Sequence, residues 1–137
     1  AALAHDGPVV LLEPRSVLAA AGPPAEELGL GQARVVREGS HATILALGAD
    51  VRAAIRTADQ LAHEGFDIEV VDLRSICPVD RDTIAASVHK TGRPIAVGAA
   101  GVVLHVATED AFLRLESPPT RTSRDNLAAA VRESVTF

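Results

Sequence analysis

The sequence contains no methionine, tryptophan or tyrosine, a single cysteine and three phenylalanines among its 137 residues. With aromatic residues at 2%, platforms for stacking on nucleobases or sugars are excluded, and the core has to be filled by alanine, valine, isoleucine and leucine. The lone cysteine, Cys77, excludes an internal disulfide and a cysteine cluster for zinc. We expect Cys77 to be a small buried side chain near a strand end, because free cysteines are commonly buried.

An excess of basic residues and a long apolar run are also missing. The formal net charge is −5 with interspersed signs, which argues against a basic face for nucleic acid or for an anionic membrane. No apolar run approaches the roughly 20 residues that span a bilayer, and the alanine-rich start lacks the basic region of a signal peptide. We therefore expect a cytoplasmic protein that binds neither nucleic acid nor a membrane.

What is present is typical of one globular domain, with 47% hydrophobic and 23% charged residues. Residues 8–12 are predicted to form a short buried strand, because they are apolar and end at Glu13-Pro14. The stretch from Gly22 to Gly31 is punctuated like a linker. We divide the chain into a leading segment, residues 1–29, and a domain, residues 30–137.

Apolar strands and amphipathic helices alternate along the domain. The predicted strands are residues 33–37, 42–47, 68–73 and 94–97. One helix is predicted over 51–62 and ends near Gly65. A second helix begins at Pro78-Val79-Asp80, with Asp80 as N-cap and Ile84 and Val88 facing the sheet, and ends at Gly92.

This order predicts an α/β fold, a three-layer α/β/α sandwich with a mainly parallel sheet and right-handed crossovers. Gly48 is expected to permit the sharp turn from strand to helix. Beyond Gly98 the pattern predicts a helix within residues 102–115 and a short edge strand at 120–122. A last helix is expected from Asp125 or Asn126, with Leu127, Ala130 and Val131 on one face.

Three segments carry a resemblance to a known family. Residues 30–39, Leu-Gly-Gln-Ala-Arg-Val-Val-Arg-Glu-Gly, followed by a strand and Gly48, are similar to the entry of a domain shared by 2-oxo acid dehydrogenase beta subunits and 1-deoxyxylulose-5-phosphate synthase. Residues 70–80 contain its Asp-Leu-Arg and Pro-x-Asp pattern, and residues 90–93, Lys-Thr-Gly-Arg, resemble the turn before its next strand in the dehydrogenases. The chain thus resembles the C-terminal, transketolase-like domain of the beta subunit of thiamine-diphosphate-dependent 2-oxo acid dehydrogenases of the pyruvate or branched-chain type.

The resemblance implies a role in an assembled enzyme and not catalysis by this chain alone. It identifies residues 1–29 as the remnant of a preceding pyrimidine-binding domain plus a linker. In the family that domain supplies the glutamate that activates thiamine, and the partner chain supplies the diphosphate site with its magnesium ligands. No residue here matches either set. We therefore expect no catalytic, cofactor-binding or metal-binding residue, thiamine diphosphate and magnesium only in the assembled enzyme, and a protein partner carrying the diphosphate- and pyrimidine-binding domains, with a homodimer as a further arrangement.

Candidate partner-binding residues follow two strands of the predicted sheet. Arg74 and Ser75 come at the carboxyl end of one strand, where α/β folds place ligands or partners, although a solvated loop is the commoner situation. Gly98, Ala99, Ala100 and Gly101 follow the next strand. They stand where the family usually has an acidic pair or His-Glu, and a family loop between Thr122 and Arg124 is missing. Residues 98–101 match neither dinucleotide-binding nor P-loop spacing.

Other polar residues are interpreted as structural. The five histidines, at positions 5, 41, 63, 89 and 105, show no metal-ligand spacing. Asp72 and Asp80 are expected to serve capping and loop hydration, although a carboxylate pair can perform acid–base chemistry. Two further functions stay open: an accessory subunit of a split transketolase-like or deoxyxylulose-phosphate-synthase-like enzyme that forms carbon–carbon bonds, and a degenerate interaction module.

Overall fold

The structure, a computed structural model, describes residues 6–10, 28–98, 128 and 131–132. Its strands are β1 Arg34–Arg37, β2 Ala42–Ala46, β3 Ile68–Asp72 and β4 Pro94–Ala96. Its helices are α1 Asp50–Ala62 and α2 Arg81–Thr91. The strands predicted at residues 33–37, 42–47, 68–73 and 94–97 and the two helices predicted between them are therefore confirmed, with slightly shifted bounds.

The strands form one sheet in the order β1-β3-β2-β4. Strand β2 runs parallel to both β3 and β4, whereas β1 is antiparallel to β3. All five residues of β2 are buried, as expected of a central parallel strand covered on both faces. Since α1 leads from β2 to β3 on one side and α2 leads to β4 on the other, right-handed crossovers put the two helices on opposite faces. The three-layer α/β/α prediction is confirmed.

Helix α1 covers the sheet face that carries Ile44 and Val70. Its buried residues recur at helical spacing and are Val51, Ala54, Thr57, Ala58 and Leu61. The helix ends in a Schellman motif, in which the Phe66 N–H donates to the Leu61 carbonyl over 3.0 Å and the Gly65 N–H donates to the Ala62 carbonyl over 3.1 Å. Gly65 has φ 89°, so its predicted role at the helix end is confirmed.

Helix α2 covers the opposite face through Ile84, which is 1% exposed and packs in one cluster with Leu45 and Val71. Val88 packs against the same cluster. The helix ends at Gly92, which has φ 67° and whose N–H donates to the Val88 carbonyl over 2.8 Å. The predicted sheet-facing residues and the predicted end of this helix are confirmed.

The turn between β1 and β2 lies against the start of β3. The guanidinium group of Arg37 donates to the Ile68 carbonyl, and its Nε donates to Asp59 Oδ1 over 3.2 Å, so it ties β1 to both β3 and α1. Gly39 is buried so close to the backbone of Ile68 and Glu69 that a Cβ atom would clash there. This explains why the similar segment ends in Glu-Gly: only glycine lets the chain pass at that point.

The prediction of a buried strand at residues 8–12 is wrong where the structure describes it. Pro8, Val9 and Val10 are exposed and have no strand conformation, with Val10 at 84% exposure. A buried strand needs a neighbouring strand to satisfy its backbone groups, and no described strand pairs with these residues. Leu11 and Leu12 lie outside the described residues.

Near the end of the chain, Ala128, Val131 and Arg132 are helical, as expected of the last predicted helix. Val131 is fully buried in the cluster that α1 forms with the sheet. Arg132 donates to both carboxylate oxygens of Glu64, over 2.7 and 2.5 Å. Leu127 and Ala130, together with the helix expected within 102–115 and the edge strand at 120–122, lie outside the described residues.

Candidate partner-binding site

The parallel strands end together at one edge of the sheet, which we call the carboxyl edge. Ala46 is level with Asp72, and Leu45 with Ala96. Hydrogen bonds continue one residue further, from the Leu73 N–H to the Ala46 carbonyl and from the Val97 N–H to the Leu45 carbonyl. The loops after β2, β3 and β4 therefore leave from the same edge.

Three of the predicted partner-binding residues, Arg74, Ser75 and Gly98, lie at this edge. The other three, Ala99, Ala100 and Gly101, are outside the described residues. The loops after β2 and β3 lead to helices on opposite faces of the sheet, so the carboxyl edge contains a topological switch point, the position at which α/β folds bind ligands. The arrangement fits the expected binding edge, and the binding itself stays a prediction.

The loop after β3 holds Arg74 in an unusual conformation. Arg74 has φ 56° although it is not glycine, and its N–H donates to Asp72 Oδ1 over 3.1 Å. The Ser75 hydroxyl donates to the Pro78 carbonyl, which closes the loop. Left-handed backbone at a bulky residue is costly and tends to occur where a loop is shaped for a function.

Cys77 is exposed in this loop, so the expectation of a small buried cysteine is wrong. The Ser75 hydroxyl donates to the Pro78 carbonyl and closes a turn around Ile76 and Cys77. The residues between them are turned outwards, and Ile76 is also 53% exposed. The buried positions next to β3 are taken by Leu73 before the loop and by Ile84 after it.

The carboxylates of Asp72 and Asp80 have the structural roles expected of them. Asp80 Oδ1 accepts from the Thr83 N–H over 3.0 Å, and Asp80 Oδ2 accepts from the Ala33 N–H over 2.9 Å. Burial acts to raise the pKa of Asp80, but these hydrogen bonds outweigh it and hold the pKa below its usual value. Burial raises the pKa of Asp72, opposed by the Arg74 N–H and the charges of Arg74 and Arg34.

The N-terminus of α1 meets the loop after β4 at the carboxyl edge. Gly48 has φ 61°, which confirms the sharp turn expected between β2 and α1. A Cβ atom at Gly98 would clash with the carboxylate of Asp50, in the first turn of α1. Because this carboxylate occupies the free end of the helix, the place does not suit a phosphate.

A second polar cluster lies at the opposite edge, where the strands begin. Thr43 donates to Glu69 Oε1 over 3.0 Å, and both side chains are fully buried. The ammonium group of Lys90 pairs with Glu69 and donates to Glu38 Oε2 over 2.7 Å. Thr91 Oγ1 lies 2.8 Å from Thr43 Oγ1. The cluster joins α2 to the sheet, and its charges are paired.

Sequence reasoning missed Glu69, because it stands in an apolar strand. Two signals could have drawn attention to it: a glutamate within Ile68–Asp72, and the fact that Lys90 is the sole lysine of the chain. A buried acid needs a cation to neutralise it.

Two of the described histidines, His41 and His63, have structural hydrogen-bond partners. His41 Nδ1 accepts from the Asp67 N–H over 2.7 Å, and His63 Nδ1 lies 2.8 Å from the Asp59 carbonyl oxygen. His5 and His105 lie outside the described residues. In the part of the chain that the structure describes, no three His, Cys, Asp or Glu side chains form a group that could hold a metal ion, and no helix is long and apolar enough to cross a membrane.

A family model described as "Transketolase, C-terminal domain" matches residues 31–131. The pyruvate dehydrogenase E1 component subunit beta of Acholeplasma laidlawii is 37% identical over 132 residues, which are 88% of this chain and 40% of that protein. The protein of the same name from Staphylococcus epidermidis is 40% identical over 109 residues, 73% of this chain and 34% of that protein. The chain thus spans about 40% or less of the length of these relatives.

Two solved structures share the fold. A split-gene transketolase, solved as an inactive beta4 tetramer, has a TM-score of 0.70 at 23% identity, over 84% of this chain and 45% of that chain. A 2-oxoglutarate:ferredoxin oxidoreductase from Magnetococcus marinus has a TM-score of 0.59 at 13% identity, over 76% of this chain and 19% of that chain. The resemblance inferred from residues 30–39, 70–80 and 90–93 is confirmed by the family match and the curated relatives.

Proposed function

Because this chain belongs to the transketolase C-terminal domain family and is similar to pyruvate dehydrogenase E1 beta subunits, we propose that it acts as a non-catalytic assembly domain of a thiamine-diphosphate-dependent 2-oxo acid dehydrogenase. It packs on a protein partner that carries the diphosphate- and pyrimidine-binding domains. Catalysis belongs to that partner and needs thiamine diphosphate and magnesium. We place the assembled enzyme in the cytoplasm.

One observation carries the proposal: the match to these beta subunits extends over most of this chain but over 40% or less of theirs. The matched part is the domain from residue 31 to residue 131. In such a beta subunit, any function that the matched domain does not perform has to come from the rest of that subunit.

The polar side chains of the described domain support a structural role. Asp80 caps α2, and Arg37 ties β1 to its neighbours. At the edge where the strands begin, Glu69 pairs with Lys90 and accepts a hydrogen bond from Thr43. Buried polar groups that are hydrogen-bonded in this way favour a unique packing of the domain.

The described residues do not fit thiamine diphosphate or its magnesium ion. Magnesium in phosphate sites is bound by oxygen ligands beside the phosphates, and the free helix end at the carboxyl edge holds the carboxylate of Asp50, close to Gly98. A diphosphate would be repelled there. We therefore assign no step of the reaction to this chain.

The candidate surface for the partner is the carboxyl edge, at Arg74, Ser75 and Gly98, while the other predicted residues, Ala99, Ala100 and Gly101, lie outside the described residues. Arg74 is exposed, and its guanidinium group makes no hydrogen bond or ion pair with the rest of the described chain. An unpaired arginine above a closed loop suits a carboxylate on a partner. The preorganised loop loses little conformational entropy on binding.

Reconstitution tests this proposal. The chain is mixed with an E1 alpha chain and with chains that match the first part of E1 beta subunits, and oxidative decarboxylation of pyruvate is followed by ferricyanide reduction. We expect activity only in the complete mixture. Arg74→Glu should reduce the reconstituted activity about tenfold or more, whereas Arg52→Glu, an exposed change on α1, should leave it unchanged. Decarboxylation by this chain alone contradicts the proposal.

The same mixture separates the alternative of a split transketolase-like enzyme. Two-carbon transfer to an aldose phosphate, with no oxidant present, would favour that function. The curated relatives, at 37% and 40% identity, favour the dehydrogenase. A third outcome, with neither reaction and no effect of the chain on any partner, would leave an interaction module.

A further inference from the structure

The outward face of helix α1 carries positive charge without a counter-charge. Its exposed polar residues, up to the C-cap, stand opposite the side that packs on the sheet and are Arg52, Arg56, Asp59, Gln60 and His63. In the described part of the chain, neither Arg52 nor Arg56 makes a hydrogen bond or an ion pair. Because four residues separate them, their side chains lie on adjacent turns of the same face. We call Arg52 and Arg56 the arginine pair.

The acidic side chains further along α1 already have cations. Asp59 Oδ1 accepts from Arg37 Nε over 3.2 Å, and Arg37 Nη1 also stands 3.6 Å from Asp67. Glu64, just past the helix, accepts two hydrogen bonds from Arg132. These contacts gather at the end of α1, so the arginine pair in its first two turns is left without an acid among the described residues.

Both members of the arginine pair stand where the electrostatics of a helix disfavours them. Arg52 lies in the first turn of α1, where the helix dipole is positive, and like charges four residues apart repel each other. Asp50 is in the same turn, but it stands about 200° around the helix from Arg52, with its carboxylate against Gly98. Local rules are most often broken at functional positions, so the pair is a candidate binding surface.

The shape and the charge of this surface limit the ligand. A helix face is convex, whereas sites for small molecules are concave. Nucleic acid and anionic membranes are bound by broad basic faces, and two arginines on a chain of net charge −5 do not form one. A second copy that met α1 with α1 around a two-fold axis would bring arginines against arginines. A different protein that offers carboxylates fits the pair.

We propose that the arginine pair binds an acidic helical segment of a second protein, with two carboxylates four residues apart. Such carboxylates are separated by about 6 Å along their helix, as the two arginines are along α1. Each guanidinium group can then bind one carboxylate through two parallel hydrogen bonds. The contact lies on the α1 face of the sheet, and it goes beyond the proposed assembly at the carboxyl edge.

The exposure of the arginine pair sets the strength of the contact. Exposed ion pairs are individually weak and are screened by salt. We therefore expect a dissociation constant on the order of 1 mM for an isolated acidic peptide at low ionic strength. A protein that is also bound elsewhere in an assembly has a high effective concentration at this face, which strengthens the same contact.

A nuclear magnetic resonance titration of the full chain tests the proposal. The probe is an alanine-based peptide of about 20 residues, long enough to be helical in water, with one pair of glutamates four residues apart. The amide signals of α1 and the Nε–H signals of Arg52 and Arg56 should shift as the peptide is added. A peptide of the same composition, with its glutamates two residues apart on opposite faces, should bind about fivefold more weakly.

Charge reversal of the arginine pair identifies the surface. Arg52→Glu/Arg56→Glu should weaken binding of the glutamate peptide about tenfold or more and should instead bind a peptide with lysines at the same spacing. The control is Arg81→Glu, at another exposed arginine in the first turn of a helix, which should bind the glutamate peptide as the wild type does. Far-ultraviolet circular dichroism of each variant should match that of the wild type.

Four outcomes would overturn the proposal. Equal binding of the two glutamate spacings would show a general attraction of charge, and equal weakening in Arg81→Glu would place the peptide elsewhere. Shifts of the same size with inorganic phosphate would show a site for small anions. Tighter binding of single-stranded oligothymidylate than of the glutamate peptide would show a surface for nucleic acid.

Reconstituted decarboxylation separates this contact from the proposed function. Arg52→Glu/Arg56→Glu should still support the ferricyanide-linked reaction, because assembly is placed at the carboxyl edge. A double variant that loses this activity overturns a separate contact on α1 and leaves the assembly function in place. Binding of the glutamate peptide by a chain that reconstitutes no activity supports the contact and rejects the dehydrogenase function.

Discussion

The sole lysine of the chain, Lys90, pairs with Glu69, a glutamate whose side chain is fully buried on the α2 face of the sheet. Lys90 is itself 41% exposed and reaches in from the last turn of α2. It also bonds Glu38, in the turn after β1, over 2.7 Å. One ammonium group therefore connects three parts of the fold, and it neutralises a charge that could not remain buried alone.

Replacing Lys90 by methionine should lower the free energy of unfolding by about 2–3 kcal/mol, because it leaves the Glu69 carboxylate buried without a cation. Glu69→Gln in the same background should recover much of the loss, since the amide still accepts from Thr43. Urea denaturation of the single and double variants measures both values. Glu38→Gln, at the exposed carboxylate, serves as the control with an effect of about 0.5 kcal/mol or less. Equal losses in the free energy of unfolding for Lys90→Met and Glu38→Gln would show that the burial of Glu69 does not set the strength of the pair.

The same pair predicts a response to high pH. Hydrogen bonds from Lys90 to Glu38 and to Glu69 raise the pKa of the ammonium above its usual 10.5, against the effect of burial. A raised pKa means that the stabilisation is complete below the usual value and is lost as the pH rises through the folded value. The melting temperature should therefore fall more steeply with rising pH in the wild type than in Lys90→Met, as thermal denaturation across this pH range would show.

Asp80→Ala should lower the free energy of unfolding by about 1–2 kcal/mol at neutral pH, because the carboxylate caps α2 and also accepts from Ala33. The pKa of Asp80 lies below its usual 3.8, so this contribution is present above the usual value and is lost as the pH falls through the folded value. Urea denaturation at neutral and at acid pH tests both statements. Asp82→Ala, in the same turn but exposed, is the control and should cost only a few tenths of a kcal/mol. A gap between wild type and Asp80→Ala that is unchanged in acid would contradict the assignment.

The cap at Asp80 shows which parts of the fold were predictable from the sequence. Asp80 caps α2 by accepting from Thr83, only three residues further along the chain. The helix ends at Gly65 and Gly92 depend on similarly local hydrogen bonds. Uninterrupted apolar runs predicted the strands, because a parallel strand buried on both faces has no polar side to show. The order of these elements then left few topologies, and the observed sheet is one of them.

The features that could not be predicted depend on distant parts of the chain. Glu69 is buried because α2 crosses back over β2 and brings Lys90 to it, and no local pattern contains that crossing. Cys77 is exposed because the turn closed by Ser75 and Pro78 sets its direction. Both results follow from tertiary contacts that a pass along the sequence does not contain.

Asp72→Asn should raise the melting temperature slightly at neutral pH. Burial raises the pKa of Asp72 above its usual 3.8, so the folded protein favours the protonated carboxyl group. The stability that this group contributes is therefore complete below the usual pKa and is lost as the pH rises through the folded value. Asparagine keeps an oxygen for the Arg74 N–H but carries no charge. Differential scanning calorimetry from acid to neutral pH should show the gain only at the higher values. A variant that melts below the wild type at neutral pH would show that the charges of Arg74 and Arg34 dominate instead.

The hydroxyl group of Thr57 is buried on α1 and makes no hydrogen bond with the described residues, which is costly in a protein interior. Thr57→Val keeps the shape and removes the hydroxyl, so it should raise the free energy of unfolding by about 1 kcal/mol. The matched control is Thr43→Val, whose hydroxyl donates to Glu69 over 3.0 Å; it should lower the same quantity by about 2 kcal/mol, because it leaves a buried carboxylate oxygen without its donor. Urea denaturation of both variants measures the two signs. If both variants lose stability to the same extent, the Thr57 hydroxyl has a partner and the unsatisfied-hydroxyl argument is wrong.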